Sequence, residues 1–457
     1  MFKQTIIILF LFLCFELVEA NEPADTQQKI VNLLKNAAAE AKNPQAARAK
    51  AQTAYDLAKE SGNSLQQIAA LKLICENSYY LNELDAVLNS AAEGVKLSFD
   101  SNQQPEAAYF YNLSGAASDD KEEYENALRS YFAALSINRE IKNREREAKN
   151  LYNIGLTYRV TGRFDLALQY LWESVKLKEA LKDLPAVANS YNSLGNVYLQ
   201  TKIHPKAEET FKKALNIYTA VKDSAGLADV CGNLGLLYMQ TDSLDKAEKF
   251  YLQAAEIDNR QQNLSGVAST ASNLGLLYLK QGQTEAAEQA FLRSLTAEKS
   301  LDHTNGQAQV LINLSRLYMS AGRLGEAEKQ AMQAISLSNK ADLLTAQNVY
   351  CTAGMLYLLK GNYKLGKEML DKYDTMKDSL FSGRLAKEMA VLRVKYENAE
   401  QDKQQFSVIR DKEINRLEKQ IFRYRLLLFG LVFTAASVAG VWTIIKIRQK
   451  RMDNTNA

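Results

Sequence analysis

From Tyr152 the chain reads YNIGLTY, and the same order of polar, apolar, small and aromatic positions returns as NSLGNVY, GNLGLLY and SNLGLLY, then more loosely as INLSRLY and TAGMLY. The small residue falls at Gly155, Gly195, Gly235, Gly275, Ser315 and Gly354, at intervals of 40, 40, 40, 40 and 39. Twelve residues after each of the first five stands an alanine: Ala167, Ala207, Ala247, Ala287 and Ala327. In three of these units an aromatic follows four residues later, at Phe211, Tyr251 and Phe291. A step back by forty reaches Gly115, with Ala127, Tyr131 and Ala134 in register. Further steps reach Cys75 and Lys35 with fading similarity, making about nine units between Asn21 and Phe381.

Such a period predicts two amphipathic helices per unit. Neither helix can bury its apolar face alone, so neighbouring pairs stack into an all-α solenoid. Gly and Ala mark points of close helix approach, and the aromatics fill the gap against the next pair. Gly162, Gly282, Gly322 and Gly361 mark turns, where glycine accepts the left-handed backbone that ends a helix. Pro185 and Pro205 sit near helix starts, where proline is tolerated.

Composition agrees with helix. The chain has 457 residues, 47% of them hydrophobic, only 5 prolines, and long stretches rich in Ala, Leu, Lys, Glu and Gln. A net charge of +3 with no basic stripe interleaved with aromatics argues against nucleic acid as a partner. Beyond the leader described below, the cysteines are Cys75, Cys231 and Cys351, widely spaced in different units. They are expected as small buried core residues rather than a disulfide framework.

At NLGLLY…A…Y…A the pattern resembles the tetratricopeptide repeat family, over about 360 residues. The family's unit has about 34 residues; here it has about 40, with the extra residues expected after the second helix, in stretches such as AVKDSAGLA, where the family's proline is missing. Longer helices are the expected result. The resemblance implies a scaffold that binds peptides or protein segments on a concave face lined by first-helix residues around the glycine. Carried over on that basis, the groove includes Tyr152, Arg159, Asn189, Asn192, Asn196, Arg316 and Asn348. Asn189, Asn192 and Asn196 share one side of a helix, and an asparagine amide both donates to and accepts from a peptide backbone.

Catalytic and metal motifs are weak. Gly361 to Glu368 imitates a phosphate-binding loop, but Glu368 stands where Ser or Thr must hold magnesium, and no strand is predicted before it. His204 and His303 are the only histidines and lie about a hundred residues apart. The acidic run Asp119, Asp120, Glu122 and Glu123 lacks the glycine-centred loop of a calcium site and is expected to be a solvated turn. No enzyme, cofactor or metal site is predicted.

The two ends carry a separate message. Lys3, the apolar run Ile6 to Phe15 and the small-residue site ending at Ala20 read as a secretory signal peptide, residues 1–20. An uncleaved N-terminal anchor is the alternative; bulky Phe12 and Leu13 before Cys14 argue against a lipoprotein. Leu385, Met389, Leu392, Tyr396 and Ala399 form a heptad seam, and Ile414, Leu417, Ile421, Tyr424 and Leu428 form a second. Residues 384–425 thus read as a coiled-coil neck, or as a solitary helix packing back on the last repeat. Leu426 to Ile445 is a stretch of twenty uncharged residues, long enough to cross a bilayer. The tail, residues 446–457, begins with Lys446, Arg448, Lys450 and Arg451, consistent with a cytoplasmic end. Ala436 and Gly440 form a small-residue step that, with the neck, offers a route to a homodimer. The layout resembles the sensory half of bacterial membrane regulators, including sensor histidine kinases, without an output domain. The expectation is a bacterial inner-membrane protein with a periplasmic repeat array that acts as scaffold or sensor on a partner in trans. A truncated or split sensor kinase or transcriptional regulator is the alternative.

Overall fold

The computed structural model describes residues 24–40 and 42–378. The signal peptide, neck, membrane span and tail expected from the sequence lie outside the described residues. Eighteen helices run through the described chain, from Ala24–Ala39 to a last one over 363–378. Each pair has a first and a second helix, such as Leu184–Gln200 followed by His204–Val221. Most helices are 17 residues long, and three residues separate most of them, with two after Val221 and Gln261, four after Ala39 and five after Leu337. A new helix therefore starts every twenty residues until Leu324–Leu337, which is shorter and gives the one interval of 39. The stretch AVKDSAGLA, expected to hold extra residues after the second helix, is the end of His204–Val221, a two-residue turn and the start of Ser224–Gln240, so the long unit shows as long helices with short turns.

The turns explain this regularity. At each turn from 62 to 322 one residue adopts left-handed φ. Gly162, Gly282, Gly322 and Gly361 do so as predicted, at φ of 78°, 75°, 73° and 76°. Lys142, Lys182, Lys202, Lys222, Asp242 and Gln262 also do so, at φ between 55° and 59°. Sequence inspection missed these, because only glycine announces the left-handed region by its identity. First helices start under side-chain caps: Asn63, Asn143, Asp183, Asp223 and Asn263 each accept the backbone N–H three residues on. Pro185 and Pro205 occupy first-turn positions, where no N–H is needed.

Glycine sets the spacing within a pair. A Cβ on Gly195 would lie 2.4 Å from the ring of Phe211, and one on Gly235 2.6 Å from that of Tyr251. Phe211, Tyr251 and Phe291 are fully buried, and each of the two phenylalanines contributes about 1.5–3 kcal/mol by removal from water. Cys75 and Cys231 are buried free thiols, pushed up to about 12 and about 11 chiefly by burial. Cys351 departs from expectation. It is half-buried, because it stands three residues before Gly354 on the side of the first helix that no second helix covers.

Between pairs the seam is polar as well as apolar. Asn138 Nδ2 donates to Asn150 Oδ1 at 2.7 Å, and Lys178 Nζ to Ser190 Oγ at 2.8 Å. Thr270 Oγ1 donates to Asp258 Oδ2 at 3.2 Å, and Ser338 and Tyr350 share a hydroxyl contact at 2.9 Å. Each pair of partners is twelve residues apart, and the chemistry differs among these four seams. First helices of consecutive pairs also pack on each other, as Leu184–Gln200 does on Ser224–Gln240, with no comparable packing between consecutive second helices. The first helices therefore line the inner side of the array. Among the described residues no helix is long and apolar enough to cross a membrane.

Candidate functional site: the first-helix face

The inner face is a ladder of polar side chains reaching from one first helix to the next. Asn153 Nδ2 and Asn150 Nδ2 both donate to Asn112 Oδ1, at 3.1 and 3.0 Å. The Tyr152 hydroxyl meets Ser193 Oγ at 2.9 Å, and Asn233 Nδ2 donates to Asn192 Oδ1 at 2.9 Å. Asn189 is exposed and accepts from the Tyr218 hydroxyl at 2.6 Å. Asn196 is half-buried and makes no hydrogen bond among the described residues.

Thus Tyr152, Asn189, Asn192 and Asn196 come together around the helix Leu184–Gln200. Arg316 and Asn348 do not join them. Arg316 is exposed and donates through Nε to Thr352 Oγ1 at 3.1 Å, near half-buried Asn348 on the next first helix, at the far end of the array. Arg159 is half-buried, and its Nε is shielded from solvent without a partner among the described residues. Sequence reasoning missed Asn112, Asn153 and Asn233. The signal was present: an asparagine stands two residues before the small residue at Asn153, Asn233, Asn273 and Asn313.

One cation is buried beside this cluster. Lys178 is 7% exposed, its Nζ 4.1 Å from the centre of the Tyr152 ring and bonded to Ser190. Burial pulls its amine down to about 8, against a smaller upward pull from the Asp183 carboxylate. Of the acidic run, Glu122 and Glu123 lie in the expected turn, Glu122 exposed, whereas Asp119 and Asp120 are the last residues of the helix Gln104–Asp120. Asp119 accepts from Thr157 Oγ1 at 3.1 Å and Asp120 accepts from the Tyr79 hydroxyl, so both serve the ladder. Burial raises the Asp119 carboxyl despite the Thr157 bond. The phosphate-loop lookalike is a turn at Gly361 followed by a helix that contains Gly366. His204 and His303 head different helices, His303 Nδ1 lying 2.7 Å from Glu298 Oε2. Among the described residues no three potential metal ligands cluster. Chemically the face offers donors and acceptors at helix-to-helix intervals.

The tetratricopeptide repeat family model matches four overlapping stretches, residues 149–220, 186–260, 223–300 and 266–340. The chain therefore carries tetratricopeptide repeats across residues 149–340. No curated protein matches the sequence. Among solved structures, aspartyl phosphate phosphatase F from Bacillus subtilis is similar at 13% identity and a TM-score of 0.52, covering 78% of this chain and 95% of its own. A Rap protein complexed with competence and sporulation factor is similar at 16% identity and a TM-score of 0.51, covering 78% of this chain and 99% of its own. At these identities the likeness is one of fold.

Proposed function

We propose that this protein is an exported, membrane-anchored repeat array that captures a peptide or protein segment on its first-helix face and acts without catalysis of its own. The observation that carries the reading is the half-used amide set around Leu184–Gln200. Asn192 has spent only its carbonyl, Asn233 shows only one donor bond, and Asn196 shows neither. Asparagine is a mediocre helix former, and such amides suit the alternating N–H and C=O groups of an extended chain. The complex of the similarly folded Rap protein with competence and sporulation factor supports a ligand of this kind. The signal peptide, the apolar stretch Leu426 to Ile445 and the basic residues after it support display in the periplasm with a cytoplasmic tail. The array then serves as scaffold or sensor for a partner in trans. To test it, peptides are selected from a random display library on the purified full-length chain, and their affinity is measured for the protein and for Asn192→Ala with Asn196→Ala. A loss of tenfold or more with unchanged helicity is expected; equal affinity removes these amides from the binding face.

A further inference from the structure

From residue 155 to residue 318 the outer grooves, between consecutive second helices, are floored by a tyrosine three residues after the small residue of each unit: Tyr158, Tyr198, Tyr238, Tyr278 and Tyr318. In two grooves that tyrosine carries a ring from its own second helix. Tyr158 stacks on Tyr170 with centroids 5.6 Å apart and planes at 20°, and Tyr238 on Phe250 at 5.5 Å and 16°. Cations cover others. Lys206 lies 5.5 Å over Tyr198, Lys246 5.2 Å over Tyr238, and Arg323 4.4 Å over Tyr318. Tyr198 also receives the Trp172 indole N–H at 3.2 Å.

Tyr278 stands in the same register with neither cover. Position 290, matching Tyr170 and Phe250, is alanine; position 286, matching Lys206 and Lys246, is alanine as well. The Tyr278 hydroxyl is held by Glu248 at 3.2 Å, as Glu208 and Glu288 hold Tyr238 and Tyr318, so its ring is fixed and its face bare. A half-open cavity of about 330 Å³ results, lined by Leu252, Ala271, Leu274, Tyr278, Ala286 and Ala290. About half that volume accommodates a benzene ring.

We propose that this groove binds an aromatic side chain of a partner protein, which stacks on Tyr278 where Tyr170 and Phe250 stack in the other two grooves. Two observations define the partner. Arg293 lines the same cavity, and its guanidinium bonds the neutral Asn259 carbonyl rather than a carboxylate. An acidic residue beside the aromatic complements that charge. Leu252, Leu292 and Met332 occupy one register position on successive second helices and are 48%, 44% and 58% exposed. A free aromatic acid would fill the cavity and leave that row wet, whereas a protein segment covers it. An aromatic anchor in an apolar pocket with a polar rim is the usual form of a binding hot spot.

The test uses the purified full-length chain and two probes, the amidated peptide acetyl-Leu-Phe-Asp-Leu and phenylacetate, with saturation transfer to the phenyl protons as the readout. Transfer to the peptide is expected with the native protein. It is lost in Ala290→Phe, which supplies the missing ring from within, and weakened at least tenfold in Arg293→Ala. Ala290→Phe should melt no lower than the native protein. If that variant fails to fold, Ala286→Lys, which restores the cation found over Tyr198 and Tyr238, must weaken transfer in its place. No transfer to the peptide, or transfer that survives the filling variant, overturns the proposal. Phenylacetate binding as tightly as the peptide also overturns it, in favour of a site for a free aromatic acid.

Discussion

Replacing Lys178 by methionine removes a buried ammonium and keeps an unbranched apolar side chain of similar length. Lys178 is surrounded by the Tyr152 ring and the Ser190 hydroxyl, with Asp183 its nearest electrostatic support. Its amine titrates at about 8 in the folded chain, against an ordinary 10.5. Between those values the unfolded chain holds the proton and the folded chain does not, so stability rises with pH across that window. The gap, at about 1.36 kcal/mol per pH unit, sets a ceiling of roughly 3 kcal/mol on the cost of the charge at pH 7. Ser190 keeps its bond to the Ala186 carbonyl at 3.0 Å, so the substitution strands no hydroxyl. Urea unfolding of the native protein and of Lys178→Met, followed by circular dichroism at pH 7, 8.5 and 10, measures the difference. The variant is expected to be more stable by about 1–3 kcal/mol at pH 7, with the gap closing by pH 10. Buried tyrosines such as Tyr218 and Tyr251, raised chiefly by burial, destabilise both proteins alike above pH 10 and cancel in the comparison. A gap that is constant with pH, or a variant less stable at pH 7, refutes the reasoning.

Phe291→Ala empties a fully buried site against Gly275 and should cost about 3–5 kcal/mol, read as faster amide exchange in the helices Leu264–Lys280 and Thr284–Ser300. Leu234→Asp places a carboxylate at a fully buried position and should unfold the array locally around Ser224–Gln240 while distant pairs stay protected from exchange. Lys202→Gly relieves a left-handed backbone at φ 59° and should raise the urea midpoint, by roughly 0.5–1 kcal/mol of stability; a lower midpoint would contradict the turn assignment. Alkaline phosphatase fused at Asp378 should be active in bacterial cells and fused after Ala457 inactive, and the reverse pattern would invert the proposed topology.

The period was legible because steric demands repeat. Only a very small residue fits under Phe211 or Tyr251, so Gly195 and Gly235 recur at a fixed distance from their rings. Proline and capping asparagine or aspartate announce helix starts by the same logic. The left-handed turns at Lys142, Lys182 and Lys222 stayed invisible, because lysine reaches that region only when the helices on either side hold it there. The inner face was partly legible. Asn189, Asn192 and Asn196 were found from their shared side, but their partners Tyr218 and Asn233 lie 29 and 41 residues away and depend on how pairs stack. Arg316 was grouped with them by register alone, and register does not say that it sits at the other end of the array. The empty ring site at Tyr278 is an absence in the pattern, two alanines where other units carry rings or lysines, and it takes meaning only once the stacked rings have been located.

The central claim, capture of a protein segment on the first-helix face outside the inner membrane, is tested most directly by a photocrosslinker placed at Asn196 in the full-length protein in living bacterial cells. The account predicts that irradiation yields a discrete adduct with a protein partner in the envelope fraction, and that the added alanine substitution at Asn192 suppresses it. No adduct at 196, with adducts formed efficiently at position 292 on the outer row, would contradict it.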